Sequence, residues 1–336
     1  MGIIELWLEL LICLVVIGYA GYDLSRYGDI IAEKTGISST WIGLTLLATA
    51  TSLPELVTGI SAVTIADVPN IAVGDVLGSA VFNLLILVLL DALYQRETIY
   101  SRAAQGHILS AALGALLIGF AGFSMILDHA GISPSSWHMG LYTPIIILVY
   151  LAAMRSIHRY EQRTLDQYTE VSAERYPEIT LREAIAGYLI AAIVIIISGS
   201  LLPFIATGIS SAMGWGQSFV GSLLVAAVTS APEVIVTISA LRLGAIDMAI
   251  ANLLGSNLFD ILVLAIDDLF YTKGPLLASV DSNHIITVFT AVMMSLLVII
   301  GLVFRPQRWA VLKLTWISLS LLLLYILNGW IQFQHG

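Results

Sequence analysis

Ala50-Thr51-Ser52-Leu53-Pro54-Glu55 recurs later in the chain as Val228-Thr229-Ser230-Ala231-Pro232-Glu233. A second block, Gly74-Asp75-Val76-Leu77-Gly78-Ser79-Ala80-Val81-Phe82-Asn83, recurs as Ala251-Asn252-Leu253-Leu254-Gly255-Ser256-Asn257-Leu258-Phe259-Asp260. Glu55 and Glu233 are 178 residues apart, and Asn83 and Asp260 are 177 apart, so the chain is a duplication with one residue lost between the blocks. Self-similarity of this kind decides the architecture before any element is assigned.

Both blocks sit in apolar runs. The 336 residues are 58% hydrophobic and only 11% charged, with a mean hydropathy of +0.94. A soluble domain carries about 25% charged residues. A bilayer core of about 30 Å needs about 20 apolar residues per helix, and ten runs of that kind are expected. They lie near 4–22, 40–63, 70–93, 106–127, 141–157, 183–205, 218–241, 245–270, 283–304 and 309–331. The reading is an all-α polytopic membrane protein. Its first five-helix repeat covers 1–157, a polar cytoplasmic linker 158–182, and a second five-helix repeat 183–336. Five spans separate equivalent helices, and five is odd, so the halves cross the membrane in opposite senses. Inverted repeats of this kind place their sites near the midplane on interrupted helices.

Charge tests the topology. With the first residues outside, the inside connections hold 13 of the 14 Lys and Arg: Arg26, Lys34, Arg96, Arg102, Arg155, Arg159, Arg163, Arg175, Arg182, Arg242, Arg305, Arg308 and Lys313. The outside connections hold Lys273 alone, as the positive-inside rule requires. Both chain ends are expected outside. The first apolar run follows no basic residue and no cleavage signal, so it reads as a retained helix. Cys13 is a single thiol inside that run, which excludes an internal disulfide. The stretch from Arg155 to Glu183 mixes five Arg with Glu161, Asp166, Glu170, Glu174 and Glu178 and contains no EF-hand loop; it reads as a solvated cytoplasmic linker.

Glu55 and Glu233 fall in the middle of spans two and seven. A carboxylate at that depth costs about 2.5–3.5 kcal/mol, and neither span carries a Lys or Arg in its core, so bound cations are the natural counter-charge. Each Glu follows a proline, which lacks an N–H and releases the carbonyl four residues back, Ala50 or Val228. Bare backbone at this depth is tolerated where it lines a polar cavity. Carbonyls, Thr and Ser hydroxyls and carboxylates form an all-oxygen donor set, suited to Ca2+ and Na+ rather than to Zn2+ or Cu+. Asp75, Ser79 and Asn83 stand four apart, as do Asn252, Ser256 and Asp260, so each trio stripes one helix face. Gly78 and Gly255 allow close helix approach.

At these blocks the sequence resembles the cation/Ca2+ antiporter superfamily, and most its prokaryotic sodium/calcium exchanger branch. Regions 40–93 and 218–270 look like that family's α-repeats. The resemblance implies that Glu55 and Glu233 clamp Ca2+ with the carbonyls of Thr51 and Thr229. It implies flanking Na+ sites at Ser52, Ser79 and the Ala48 carbonyl, and at Ser230, Ser256 and the Ala226 carbonyl. Asn83 and Asp260 complete the centre, and spans one and six slide across the other eight. Departures from the family pattern are Ala50 and Val228 in place of glycine, Ala231 in place of leucine, and Asp75 and Ala251 within the Gly-Asn pairs. Asp75 is thus a possible extra pathway carboxylate.

The function and location that the resemblance implies are exchange of Ca2+ for Na+ by alternating access in the inner (cytoplasmic) membrane of a prokaryote. Coupling to H+ is the alternative, since a proton on Asp260 could relieve surplus charge. The Ca2+/H+ branch usually carries a Glu shortly after Gly-Asn, where this chain has Gly78 and Ser79, and that favours Na+. A passive channel is a remote alternative. No enzyme is expected: there is no His-Glu-x-x-His, and Ala72-Val73-Gly74-Asp75 departs from the Gly-x-Gly-Asp of aspartyl intramembrane proteases. No cofactor, nucleic acid or obligatory protein partner is expected.

Overall fold

The computed structural model describes residues 2–35, 48–94, 97–132, 135–136, 138–165, 176, 178–307 and 314–335. The expected residues 40–47 of span two, 309–313 of span ten, Arg96, and Asp166, Glu170, Glu174 and Arg175 of the linker lie outside these. The first half contributes α1 (Ile3–Thr35), the short α2 (Ala48–Thr51), α3 (Leu53–Ala66), α4 (Pro69–Leu93), α5 (Gly106–His129) and α6 (Tyr142–Leu165). The second half contributes α7 (Leu181–Met213), α8 (Gln217–Thr229), α9 (Ala231–Arg242), α10 (Ile246–Phe270), α11 (His284–Phe304) and α12 (Trp316–His335). One departure from the all-α reading is a two-residue antiparallel pairing of Ser135–Ser136 with Met139–Gly140.

Seven of the described helices are long and apolar enough to cross a membrane, and eight if α8 and α9 form one span bent by 43°. Ten were expected, and the difference has two sources. Span two is described only from Ala48, leaving the 14 residues of α3 as its apolar part. Helix α6 continues through Arg155, His158 and Arg159 to Leu165, so its second half is too polar to count. The first residues of the expected linker at 158–182 are thus helical. Its last residues form a capping box, with the Glu183 amide donating to Thr180 Oγ1 at 3.2 Å and the Thr180 amide to Glu183 Oε2 at 2.8 Å. This stops the chain from unwinding before Leu181.

The two faces of the bundle can be traced by contacts between loops. At one, Arg305 donates to the Ala103 carbonyl at 3.3 Å and the Ala104 amide to Asp247 at 2.7 Å. At the other, Lys273 meets Asp67 at 2.5 Å, and the Asp281 amide meets Asn70 at 2.7 Å. Trp7 and Phe333 both pack on Trp215 at that second face. The residues near both chain ends therefore share the Lys273 face.

Helices α4 and α10 form the centre, 72% and 83% buried, against 33% and 39% for α1 and α7. The latter pair run antiparallel along each other, from Leu6 against Gly208 to Tyr27 against Gly187. Pro203 interrupts α7 and leaves the Gly199 carbonyl without its helical partner. The Thr58 hydroxyl of α3 donates to that carbonyl at 3.2 Å, and Ser61 donates to Ser200 O at 2.8 Å. A freed backbone acceptor in lipid is thereby satisfied.

Helix α4 crosses the π-turn Val220–Val225 at backbone distance. A Cβ at Gly78 would collide with the Ser222 backbone, and one at Gly74 would stand 3.1 Å from the Gly221 Cα. Gly74 and Gly78, four apart, make the small-residue face that close membrane packing uses. Gly78→Val is expected to destabilise the fold by about 1–3 kcal/mol, read as a lower unfolding temperature in detergent. Gly114→Ala, where a Cβ meets nothing within 4 Å, is the neutral control.

Candidate cation-binding site

Helical geometry fails at two equivalent residues. Ser52 has φ −90°, ψ 13° and Ser230 has φ −82°, ψ 10°, where a helix requires ψ near −42°. Pro54 and Pro232 sit in the first turn of the segments that follow, α3 and α9, where a missing N–H costs nothing. Each proline therefore restarts a helix, and each Glu emerges one residue later, at the break.

Every sequence-predicted site residue is described, and all are buried; Glu55 is 1% exposed and Glu233 0%. Their contacts obey the pseudo-twofold symmetry of the repeats. Glu55 Oε1 accepts from Ser79 of its own repeat at 3.3 Å and from Ser230 of the other at 3.2 Å. Glu233 Oε1 accepts from Ser256 of its own repeat and from Ser52 of the other, both at 3.2 Å. The two breaks thus clasp each other through crossed carboxylate–serine bonds. The second oxygen of each Glu, Oε2, has no donor among the described residues.

The threonines extend the clasp. Thr51 Oγ1 lies 3.4 Å from Asn252 Oδ1 and 3.3 Å from Ser256 Oγ; Thr229 Oγ1 donates to Asp75 Oδ1 at 2.7 Å and lies 3.4 Å from Ser79 Oγ. Asp75 is therefore part of the central cluster. Asn83 Nδ2 donates to Asp260 Oδ2 at 3.5 Å, and Asp260 Oδ1 and Asn83 Oδ1 have no partner among the described residues. The symmetry inverts the chemistry here. Asp75 stands opposite Asn252, and Asn83 opposite Asp260, so each repeat contributes one acid and one amide at exchanged positions.

The carbonyls of Ala48 and Ala226 are engaged within their own helices. The Ser52 amide donates to Ala48 O at 3.0 Å and Thr51 Oγ1 to the same oxygen at 3.2 Å. Ala226 O accepts the Ser230 amide at 3.0 Å, with Thr229 Oγ1 3.3 Å away. Among the described residues no three His, Cys, Asp or Glu groups converge tightly enough to cage a metal by themselves. The donor set is mixed: carboxylate, hydroxyl and amide oxygens, with five unpartnered carboxyl or amide oxygens on Glu55, Glu233, Asp75, Asp260 and Asn83. Hard cations suit such a set.

Sequence reading passed over a third pair at the same offset, Asp91 and Asp268, both fully buried. Asp91 accepts from the amides of Ile99 at 3.4 Å and Thr315 at 2.9 Å and from the Ser318 hydroxyl at 2.7 Å. Asp268 accepts from the amides of Leu276 at 2.7 Å and Gly140 at 3.0 Å, from the Tyr142 hydroxyl at 2.6 Å, and from Thr143. Each ties the end of a central helix to the start of a peripheral one, α12 or α6. The signal was available, since 91 and 268 differ by 177, but neither residue lies in a recognisable motif.

Residues 5–155 and 183–334 match the family model described as sodium/calcium exchanger protein. The sodium/calcium exchanger MaX1 of Methanosarcina acetivorans is 28% identical over 350 residues, covering 95% of this chain and 99% of that protein. The inner membrane protein YrbG of Escherichia coli is 25% identical over 256 residues, 76% of each chain. A solved structure of the sodium-calcium exchanger NCX_Mj has the same fold, with a TM-score of 0.62 at 22% identity over 97% of this chain and 98% of that one. The fold, the buried oxygen cluster and these likenesses define a multi-pass membrane cation/Ca2+ antiporter, a transporter and not an enzyme. The chain belongs to the sodium/calcium exchanger protein family.

Asp91→Ala and Asp268→Ala each strand three or more buried donors. Each is expected to cost about 3 kcal/mol or more, seen as a fall in the detergent unfolding temperature. Ser239→Ala, which removes a single hydroxyl bond to a helix carbonyl, is expected to leave that temperature nearly unchanged.

Proposed function

We propose that the chain exchanges Ca2+ for Na+ by alternating access, with Glu55 and Glu233 as the shared carboxylates of the transported ions. The observation that carries this reading is the crossed clasp. Each Glu is held through Oε1 by serines of both repeats, while its Oε2 is buried without a donor. A buried carboxylate oxygen left bare is costly, and a cation between the two relieves both at once. Ser52, Ser79, Ser230, Ser256, Thr51, Thr229, Asn83 and Asp260 supply the surrounding oxygens, with Ala48 and Ala226 joining once a moving break releases their carbonyls. Breaks clasped across the pseudo-twofold axis can open toward either face, which is what alternation requires. The lipid-exposed α1–α7 pair, whose two helices pack along each other, suits the sliding element. The face bearing Arg102 and Arg305 is the cytoplasmic one, by the charge rule.

One observation favours H+ as a second counter-ion. Asp75, bonded to Thr229 at 2.7 Å, adds a fourth carboxyl to Glu55, Glu233 and Asp260. One Ca2+ leaves such a cluster with surplus charge that a proton relieves.

Radioactive Ca2+ uptake into proteoliposomes under separate outward Na+ and pH gradients tests the reading. Uptake is expected under the Na+ gradient and is expected to fall to the level of empty vesicles in Glu55→Gln and Glu233→Gln. Uptake under the pH gradient alone, abolished by Asp75→Asn, transfers the assignment to H+. Unchanged uptake in both Gln variants removes the site.

A further inference from the structure

Asp267 stands apart from every other buried acid of α10. It is 0% exposed, and neither of its carboxyl oxygens has a hydrogen-bond partner among the described residues. Its neighbour Asp268 shows how this fold treats a structural carboxylate, with four donors supplied from two other segments. A buried polar group without a partner calls for an explanation of its own. A structural tie, the explanation for Asp91 and Asp268, is closed to it.

Its position supplies one. Asp267 follows Asp260 by seven residues, so it extends the stripe of Asn252, Ser256 and Asp260 by two turns, about 10 Å. Across from it lies Gly59 of α3, one turn beyond Glu55. A Cβ built at Gly59 would run into the carboxyl group, standing 2.6 Å from Oδ1. Glycine is therefore what lets α3 and α10 share this acid. From Glu55 and Asp260 both helices run toward the Asp67–Lys273 face. Asp267 thus lies between the central cluster and that face, on the two helices that carry two of the central acids. In the first repeat the equivalent residue is Leu90, also buried, and the residue equivalent to Gly59 is Thr237. Among the described residues, the equivalent position on the opposite route carries no carboxyl.

Resting on the proposed transport function, we infer that Asp267 is a second cation station, a carboxylate that receives a hard cation between the Lys273 face and the Glu55–Glu233 pair. It makes the two access routes chemically unequal in a protein whose centre is otherwise pseudo-symmetric. An anionic oxygen pair on one route holds a cation that has shed part of its water before it reaches the central carboxylates. Release toward that face passes the same group in reverse.

The test uses the full chain in proteoliposomes, with the two insertion orientations separated on a terminal affinity tag and Ca2+ supplied to one face at a time. Asp267→Asn is expected to raise the apparent KM for Ca2+ presented at the Lys273 face by about tenfold. The KM at the opposite face and the unfolding temperature are expected to be unchanged, and Asp267→Glu is expected to restore the first KM. Equal KM changes at both faces, or none at either, overturn the inference. If Asp267→Asn does not fold, Gly59→Ala decides, because its methyl displaces the carboxyl while keeping the charge. A one-sided rise in KM supports the station, and a two-sided or absent change overturns it. A wild-type chain that moves no Ca2+ removes the transport reading instead, a result distinct from an active exchanger whose Asp267 variants behave alike at both faces.

Discussion

A carboxylate in hydrocarbon has to find a compensating charge or a full set of donors, and the architecture of this chain answers that demand. Glu55 and Glu233 each find two serines, one in their own repeat and one in the other, and this crossing ties the repeats together. The helices break at Ser52 and Ser230 so that the clasp can form. Prolines restart the helices beyond the breaks without losing a needed N–H. Around this knot α4 and α10 are the most buried of the membrane-length helices described, and Gly74 and Gly78 of α4 let the Val220–Val225 turn approach to backbone contact.

The same demand sorts the buried acids into three kinds. Asp91 and Asp268 are saturated with donors and act as ties between helices. Glu55, Glu233, Asp75 and Asp260 are half satisfied, one oxygen bonded and one bare, as befits groups whose other partner comes and goes. Asp267 has no donor among the described residues. Counting donors separates roles that composition and depth alone do not distinguish, since all seven residues sit in apolar helices.

Much of this was legible beforehand. The expected span 245–270 differs from α10, Ile246–Phe270, by one residue, because Gly244 and Ala245 break the apolar run and Tyr271 ends it. The duplicated motif located the breaks and the acids of the centre. What escaped were features made by contact between distant segments. The crossing of Ser52 to Glu233 cannot be read from spacing within one repeat. Asp91 and Asp268 carry no motif, so only a search at the 177-residue offset would have paired them. That α6 continues as helix to Leu165 was also out of view, because its polar side chains carry no apolar periodicity.

The central claim is that a metal ion sits between the two glutamates. Crystals of the protein soaked in Sr2+, an electron-rich stand-in for Ca2+, test it by anomalous scattering. The account predicts a strong anomalous peak within coordination distance of both Glu55 and Glu233, lost on replacing either with Gln. A peak elsewhere, or none in crystals that diffract well enough to show both side chains, would contradict it.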